Sequence, residues 1–295
     1  TLTSPIDGRV MFVLPWNDLS YIRTTDTDEA ASPEDVRASG ADVVYLLRSV
    51  NALFPDARLT PRDVISTWAG LRPLLAPAHA RSASQVSREH RVVEGSSGLV
   101  TIAGGKLTTY RRMARETVDL IAKRLRQLDG RPLPPRAATD RLPLPGGESA
   151  DLDVLVDSLR ARGVPDAQAR HLVGSYGSEA AAVLNLVDRD RALGEPIIAG
   201  RPEVWAEVVH AVEREMAARL TDVLIRRLHV FYEDPAHGST VSTAVAGRLA
   251  ELLGWDTSRC EEEVAAYTAE VKQARAFLRE VPRVSQHIAR KEAGA

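Results

Sequence analysis

The segment Gly98-Leu-Val-Thr-Ile-Ala-Gly-Gly-Lys-Leu-Thr-Thr-Tyr-Arg111 joins a strand pattern to a helix pattern. Residues 99–103 form a short apolar run, typical of a buried strand, and apolar residues recur at helical spacing over residues 107–128. Gly104 and Gly105 lie between the two patterns and let a ligand approach the backbone closely. A helix N-terminus carries unpaired N–H groups and a partial positive charge. The segment therefore predicts a strand–turn–helix unit that favours an anionic or electron-rich group.

The side chains of this turn have matching chemistry. Lys106 supplies a mobile cation, and Thr108 and Thr109 supply hydroxyl groups, which suit a phosphate or a flavin carbonyl. A plain Gly-Gly turn before a helix stays an equal alternative at this point. The segment is not a Walker A loop, because Val100 and Leu107 occupy its first Gly and its Ser/Thr positions. It is not a dinucleotide fingerprint either, since no Gly-x-Gly-x-x-Gly occurs anywhere in the chain.

Composition limits the class of protein. The chain has 295 residues, of which 44% are hydrophobic and 26% charged, as in soluble globular proteins. Its formal net charge of −2 argues against a general nucleic-acid binder. Cys260 is the only cysteine, which excludes an internal disulfide and a Cys-based metal site. No run approaches the roughly 20 apolar residues that span a bilayer. We expect a cytoplasmic protein whose contact with the inner face of the cell membrane is at most peripheral.

A stretch rich in Pro and Gly divides the chain. Residues 131–147 contain five Pro and two Gly, which break helices and strands, and they are predicted to form a linker. Residues 1–130 mix strand and helix patterns, whereas residues 148–295 are dominated by helical periodicity. The predicted fold is α+β, a mixed sheet with helices followed by an all-α domain. In the second half we expect helices near residues 151–162, 166–174, 178–188, 202–220, 221–230, 241–254 and 258–280.

The first half contains four shorter patterns. The run Val10 to Leu14 and the pair Tyr21-Ile22 predict a hairpin. Ser32-Pro33 is a helix-start signal, and helical spacing then continues to Leu53. Residues 64–68 and 86–93 are plausible strands.

Two arginines are candidate anion ligands. Arg72 follows Trp68-Ala-Gly-Leu in a loop that Gly70 and Pro73 shape, and Arg88 lies in a predicted strand. Guanidinium groups bind phosphate or carboxylate in bidentate geometry, although a surface ion pair is the alternative for each. His90 has no partner carboxylate or second His at metal-ligand spacing, so no metal site is expected. Asp222 and Arg226 have the spacing of an intrahelical ion pair.

Several motifs together resemble one family. They occur in order along nearly the whole chain: Phe12-Val-Leu-Pro-Trp16, Thr24-Thr25-Asp26-Thr27, Trp68-Ala-Gly-Leu-Arg-Pro-Leu74, Gly104-Gly-Lys-Leu-Thr-Thr-Tyr-Arg111, Leu144-Pro-Gly-Gly147, Tyr176-Gly177 and Glu215-Met-Ala217 with Asp222-Val-Leu-Ile-Arg-Arg227. This order is similar to that of the aerobic, FAD-dependent glycerol-3-phosphate dehydrogenases. The Gly-Gly-Lys-Leu-Thr-Thr-Tyr-Arg element is its most specific part.

The resemblance implies an enzyme and a site. Such flavoproteins oxidise sn-glycerol 3-phosphate to dihydroxyacetone phosphate by hydride transfer to FAD, and the electrons pass to a quinone. By resemblance Arg72 contacts the substrate near its reacting hydroxyl, Arg88 holds the phosphate, and Lys106 lies between flavin and substrate. Backbone contacts to the flavin ring come from Gly104, Gly105, Lys106, Leu107 and Thr108. The helical half corresponds to the family's C-terminal cap domain.

The chain also departs from the family pattern. The dinucleotide fingerprint and the upstream substrate-binding segment of the family are missing, which indicates a truncated, incomplete FAD- and substrate-binding domain. We therefore expect this chain alone to bind FAD weakly and to be inactive. Arg23 stands where the family usually has Gly, and we expect it to alter the local turn.

The residues are also compatible with two other functions. A non-catalytic interaction module, built on a remnant of the fold, is one alternative, and another flavin-dependent amine or amino-acid oxidase is a second. The pair Arg72 and Arg88 favours a phosphate-bearing substrate over the second alternative. A homodimer is compatible with the sequence.

Overall fold

A computed structural model of the chain describes residues 1–27, 32–72, 89–149 and 151–293. Two compact units are present: Thr1–Gly70 joins Ser149–Ala295 in the first, and Leu71–Glu148 forms the second. The described strands are β1 (Leu2–Thr3), β2 (Val10–Trp16), β3 (Leu19–Arg23), β4 (Arg91–Glu94) and β5 (Val100–Ala103). The described α-helices are α1 (Gly40–Leu53), α2 (Tyr110–Asp129), α3 (Leu152–Ala161), α4 (Asp166–Tyr176), α5 (Ala180–Arg189), α6 (Trp205–Glu213), α7 (Val230–Glu233), α8 (Ser242–Leu253), α9 (Thr257–Ala274) and α10 (Phe277–Ala293).

The predicted hairpin is present in the first unit. Strands β1, β2 and β3 form an antiparallel sheet in that order, and Met11 on β2 is fully buried. Arg23 ends β3 opposite Phe12, and its guanidinium lies 5.0 Å from the centre of the Phe12 ring. Arg23 therefore continues the strand, and its charge lies over an aromatic face.

Helix α1 begins later than predicted. The Ser32-Pro33 signal produces only a short 3₁₀ turn, Pro33–Asp35, and the helix itself begins at Gly40. Ser39 caps it, because the Ser39 hydroxyl accepts from the Asp42 N–H and the Asp42 carboxylate accepts from the Ser39 N–H. This helix start was not predicted, because Ser32-Pro33, seven residues earlier, carries a competing helix-start signal.

The two ends of the first unit pack together through α1 and α10. Val43 and Leu47 on α1 form a buried cluster with Phe277 on α10, which is 1% exposed. The Gly40 N–H donates to Glu280 Oε2 at 2.7 Å. A Cβ atom at Gly40 would lie 2.6 Å from the Glu280 Cβ, so only glycine allows these helices to approach so closely.

The helical half has two buried clusters that share Trp205. One is formed by residues of α6 to α9, including Leu220, Leu224 and Leu249, and the other by residues of α3 to α6. The predicted helix over 202–220 is too long, because α6 ends at Glu213. Met216 has a φ of 58° and is 88% exposed, so the chain leaves the helical path after α6. The predicted pair is confirmed, with 3.1 Å between Arg226 Nη1 and Asp222 Oδ1.

The second unit contains β4 and β5, paired antiparallel, followed by α2. The helix predicted over 107–128 is confirmed, but β5 is not the buried strand expected, since Leu99 beside it is 68% exposed. Residues 64–68 form no strand, and of the strand predicted over 86–93 the described part begins at Arg91.

The α+β class with an all-α second half is confirmed. The strand pairs that the structure describes are antiparallel, whereas a mixed sheet was expected. Within the described ranges, no helix is both long and apolar enough to cross a bilayer.

Candidate functional site

The site begins at the turn between β5 and α2. Gly104 and Gly105 have φ angles of 77° and 83°, a region that favours glycine. A Cβ atom at Gly105 would lie 2.5 Å from Met113 Sδ and 3.1 Å from His90 Cβ. Gly105 is therefore required by the packing of the turn against α2, in addition to any role toward a ligand.

The residues after the two glycines form an exposed helix start. The 3₁₀ turn Leu107–Thr109 leads directly into α2. The Lys106 N–H donates to Thr109 Oγ1 at 3.2 Å, and the Thr109 hydroxyl donates to the Lys106 carbonyl at 2.9 Å. The side chains of Lys106, Leu107 and Thr108 are exposed, and Leu107 is 89% exposed. The N–H groups of the first helical residues have no acceptor within the helix, so this turn can offer donors and a cation to a bound group.

A charged cluster lies next to this turn on α2. His90 Nε2 is 2.7 Å from Glu116 Oε2, and Arg112 Nε donates to Glu116 Oε1 at 2.7 Å. These contacts, first Arg112 and then His90, lower the pKa of the Glu116 carboxyl below its ordinary value, so Glu116 is ionised at neutral pH. No carboxylate stands at metal-ligand spacing from His90 in the sequence, and the partner that the structure gives it, Glu116, lies 26 residues further along the chain. The spacing of Arg112 and Glu116 was visible in the sequence, whereas the contact between His90 and Glu116 depends on tertiary folding.

The remaining predicted residues lie elsewhere along the second unit. Arg72 is exposed and is the last residue before the undescribed stretch 73–88. Arg88, the predicted phosphate ligand, lies outside the described residues. The structure thus brings Gly104, Gly105, Lys106, Leu107 and Thr108 together at one exposed turn, and the roles of Arg72 and Arg88 stay predictions. Among the residues that are described, no group of three or more His, Cys, Asp or Glu side chains could hold a metal ion.

The second unit leaves much apolar surface exposed. None of the 20 residues of α2 is buried, although the helix has a pronounced apolar face. Val118 is 56% exposed and Leu128 is 68% exposed. A shallow groove of about 200 Å³ runs along this face, lined by residues of α2 and by Arg131, Pro132 and Pro134. A helix of this kind normally gains most of its stability by burying the apolar face.

Family models match both halves of the chain. A family model described as FAD dependent oxidoreductase matches residues 2–111. A second, described as the C-terminal domain of alpha-glycerophosphate oxidase, matches residues 137–260. The two matches define a class of protein in which an FAD-dependent oxidoreductase domain precedes this helical domain.

Individual relatives narrow the class. The aerobic glycerol-3-phosphate dehydrogenase of Staphylococcus epidermidis is 35% identical over 282 residues, covering 91% of this chain and 48% of that protein. The enzyme of that name from Staphylococcus aureus is 33% identical over 275 residues, with the same two coverages. The crystal structure of the glycerol-3-phosphate dehydrogenase from Bacillus halodurans complexed with FAD superposes with a TM-score of 0.75 at 30% identity, covering 93% of this chain and 53% of that one.

The chain resembles the FAD-dependent glycerol-3-phosphate dehydrogenases in both of its halves. It spans about half the length of the curated relatives that it matches. The family cofactor is FAD. The exposed turn at residues 104–108 fits the electron-rich edge of a flavin ring, because it combines backbone donors at a helix start with the Lys106 cation.

Proposed function

We propose that the chain forms the substrate- and flavin-ring-binding half of an FAD-dependent oxidoreductase that converts sn-glycerol 3-phosphate to dihydroxyacetone phosphate. The observation that carries the proposal is the exposed turn between β5 and α2, where Lys106 stands at a helix start directly after two glycines in the left-handed region. The names of the relatives support the substrate.

Each proposed site residue has a distinct task. Arg88 binds the substrate phosphate, since a guanidinium and a phosphate form paired charge-assisted hydrogen bonds. Arg72 orients the hydroxyl at the carbon that is oxidised. Lys106 stabilises negative charge that develops on the substrate oxygen and on the flavin edge as the hydride leaves. When bound, FAD supplies the hydride acceptor.

Flavin binding is divided between this chain and other residues. The backbone of Gly104, Gly105, Leu107 and Thr108 and the Lys106 ammonium would hold the ring. The pyrophosphate is normally held by a Gly-x-Gly-x-x-Gly turn, and this chain contains none. We infer that these 295 residues by themselves bind FAD weakly and do not turn over. The uncovered apolar face of α2 supports this inference, since it is suited to contact with a further part of a flavin domain.

The proposal also includes the organisation and surroundings of the enzyme. We place the domain boundary in the linker 131–147, with the oxidoreductase domain in residues 1–130 and the cap in residues 148–295; the limits of the two family matches support this division. A quinone is the proposed electron acceptor, and the word aerobic in the relatives' names supports it. Peripheral contact with the cytoplasmic face of the membrane and homodimer formation belong to the same proposal.

A binding experiment tests the division of the flavin site. FAD is titrated into the purified chain, and into the complete product of its gene, while flavin fluorescence and the bound stoichiometry are measured. We expect weak binding to the chain alone. Tight binding with a stoichiometry near one would refute the inference that these residues do not hold FAD.

A kinetic experiment tests the substrate. The FAD-loaded gene product is assayed for reduction of a dye and of a soluble quinone that depends on sn-glycerol 3-phosphate. Arg88→Ala should weaken substrate binding by roughly 10- to 150-fold, because a lost charge-assisted hydrogen bond costs about 1.5–3 kcal/mol, and should leave FAD affinity unchanged. Arg115→Ala, on α2 outside the proposed site, is the matched control. An unchanged KM in Arg88→Ala would remove Arg88 from the phosphate site.

A further inference from the structure

The segment that leads to Arg72 is tied step by step to the first unit. Its start is held by Asn51 on α1, whose amide group donates to the Leu59 carbonyl and accepts from the Leu59 N–H, both at 2.8 Å. Val64 then packs against the buried cluster around Phe277. The segment has no strand pairing in the described structure, so these side-chain contacts fix its path.

Thr67 binds the end of a helix from the other half of the chain. Its hydroxyl donates to the carbonyl of Ala274 at 2.9 Å, and Ala274 is the last residue of α9. The last four carbonyl groups of a helix accept no hydrogen bond from within the helix and need a donor from elsewhere. Thr67 supplies that donor across 207 residues of sequence.

Trp68 lies between two tyrosines from different halves of the chain. Its ring stacks on Tyr21 of β3 with centroids 4.7 Å apart, and it meets Tyr232 of α7 edge to face at 5.0 Å. Both geometries are favourable for aromatic pairs. We call the set Tyr21, Thr67, Trp68, Tyr232 and Ala274 the clamp.

A charged network beside the clamp holds the same parts together. The Trp16 indole N–H, on β2, donates to Glu233 Oε1 at 2.7 Å, and Glu233 follows Tyr232 directly in α7. Arg201 binds Glu233 at 2.8 Å and the buried Glu203 at 2.6 Å. Glu233 is thereby paired and held, which fixes the neighbouring Tyr232 ring against Trp68.

We propose that Thr67 and Trp68 are positioning residues for Arg72, and that the helical C-terminal half acts on substrate binding through them. The proposal rests on the function proposed above for Arg72. Arg72 follows Trp68 by four residues, and the N-terminal stretch of the first unit ends at Gly70 between them. At about 3.6 Å for each extended residue, the anchored Trp68 confines the Arg72 backbone to within roughly 14 Å. Release of the clamp would remove that restriction on the Arg72 backbone.

The first test needs no turnover. Hydrogen exchange is measured for a peptide over residues 64–72 in the unaltered chain, in Trp68→Ala and in Thr67→Val. We expect exchange of this peptide to accelerate at least fivefold in both variants and to recover in Trp68→Phe, which keeps an aromatic ring. Thr268→Val is the matched control, because it removes the same kind of hydroxyl-to-carbonyl bond on α9, to Val264, without contact to the segment. Unchanged exchange in Trp68→Ala and Thr67→Val would overturn the clamp.

The second test asks whether the clamp acts through Arg72. In the FAD-loaded gene product, Trp68→Ala should lower kcat/KM for sn-glycerol 3-phosphate about tenfold, with FAD affinity within twofold of the unaltered protein. In an Arg72→Ala background, the same substitution should have no further effect. If Trp68→Ala lowers kcat/KM by the same factor with and without Arg72, Trp68 acts independently of Arg72, and the positioning role is overturned.

The two proposals fail separately. If the unaltered holoprotein does not oxidise glycerol 3-phosphate, the proposed function is wrong, and the role of Trp68 toward Arg72 is wrong with it. The exchange measurement would in that case still decide whether the helical half orders residues 64–72. Normal turnover combined with unchanged exchange in Trp68→Ala would leave the proposed function standing and remove the clamp.

Discussion

Replacement of Glu207 by Ala should strongly destabilise the helical half. Glu207, on α6, is 0% exposed, and its carboxylate makes three contacts. It accepts from the Val204 N–H at 2.7 Å and from the Tyr176 hydroxyl at 3.1 Å, and lies 2.8 Å from His171 Nε2. Removing the carboxylate leaves a buried N–H and a largely buried hydroxyl without an acceptor.

The expected loss of unfolding free energy follows from those contacts. Loss of one partner of a buried charged pair costs about 3–5 kcal/mol, and we expect this for Glu207→Ala. Glu207→Gln keeps one carbonyl acceptor and the side-chain volume, so it should cost less, roughly 1–3 kcal/mol. Glu251→Ala is the matched control, because Glu251 is 66% exposed and pairs with Arg248 within α8; it should cost under about 1 kcal/mol.

The loss of stability in the Glu207 variants should also depend on pH, because Glu207 contacts His171. Burial opposes protonation of this imidazole, but the hydrogen bond and charge of Glu207 outweigh it and raise the pKa of His171 above its ordinary value. A group whose pKa is raised in the folded state stabilises fully below its unfolded pKa. That stabilisation is lost as the pH rises through the folded pKa. Glu207→Gln should therefore cost more near about pH 6 than near about pH 9.

Urea unfolding followed by tryptophan fluorescence measures these differences, since Trp205 lies between the two buried clusters of the helical half. The slope of the transition must match between variants for the comparison of unfolding free energies to hold. The reasoning is refuted if Glu207→Ala costs no more than the Glu251→Ala control. A cost of Glu207→Gln that is the same at both pH values would show that His171 gains no charge stabilisation from Glu207.

Two further substitutions test features of each unit. Gly105→Ala places a Cβ 2.5 Å from Met113 Sδ at a φ of 83°. It should therefore lower the stability of the second unit by roughly 1–3 kcal/mol, measured by thermal unfolding. Gly174→Ala is the control, because α4 has open space around the added methyl group; it should not destabilise the protein, and a loss of stability would remove it as a control. Tyr267→Phe leaves the buried carbonyl of His237 without its donor and should cost about 1–2 kcal/mol in urea unfolding, a result that an unchanged midpoint would contradict.

Local patterns predicted local structure well. The hairpin of β2 and β3, the helix after Gly105 and the pair of Asp222 and Arg226 were all visible in the sequence, because each depends on residues close together in the chain. The limits of helices were predicted less well. At α1 a Pro-based signal competed with the Ser39 capping box, and at α6 the turn before Met216 interrupted an apolar pattern that continued at helical spacing.

Long-range contacts could not be predicted from one sequence. Trp16 and Glu233 are 217 residues apart, and Thr67 and Ala274 are 207 apart. Periodicity reports which face of an element is apolar but not which element covers it. Residues 64–68 were predicted as a strand for this reason: their apolar and β-branched side chains serve tertiary packing, and the segment has no backbone partner in the described structure.

The candidate site was predicted in part. The turn at residues 104–108 and its exposed Lys106 follow from the strand, the two glycines and the helix, which are adjacent in sequence. The contact of His90 with Glu116 was not predicted, since it joins the residue before β4 to a residue of α2 that is 26 positions away. The roles of Arg72 and Arg88 came from the family resemblance and stay predictions.

The close crossing at Gly40 constrains the order in which the chain can be built. The N–H of Gly40 and the cluster around Val43 find their partners on α10, 240 residues later. At roughly 5–20 residues per second, a ribosome needs about 10–50 s to deliver that partner after Gly40 has been made. During this time the apolar face of α1 has no cover from α10, and contacts of such large sequence separation slow folding further. Helix α1 therefore completes its packing only after α10 has been made, so a nascent chain should depend on chaperones until α10 emerges.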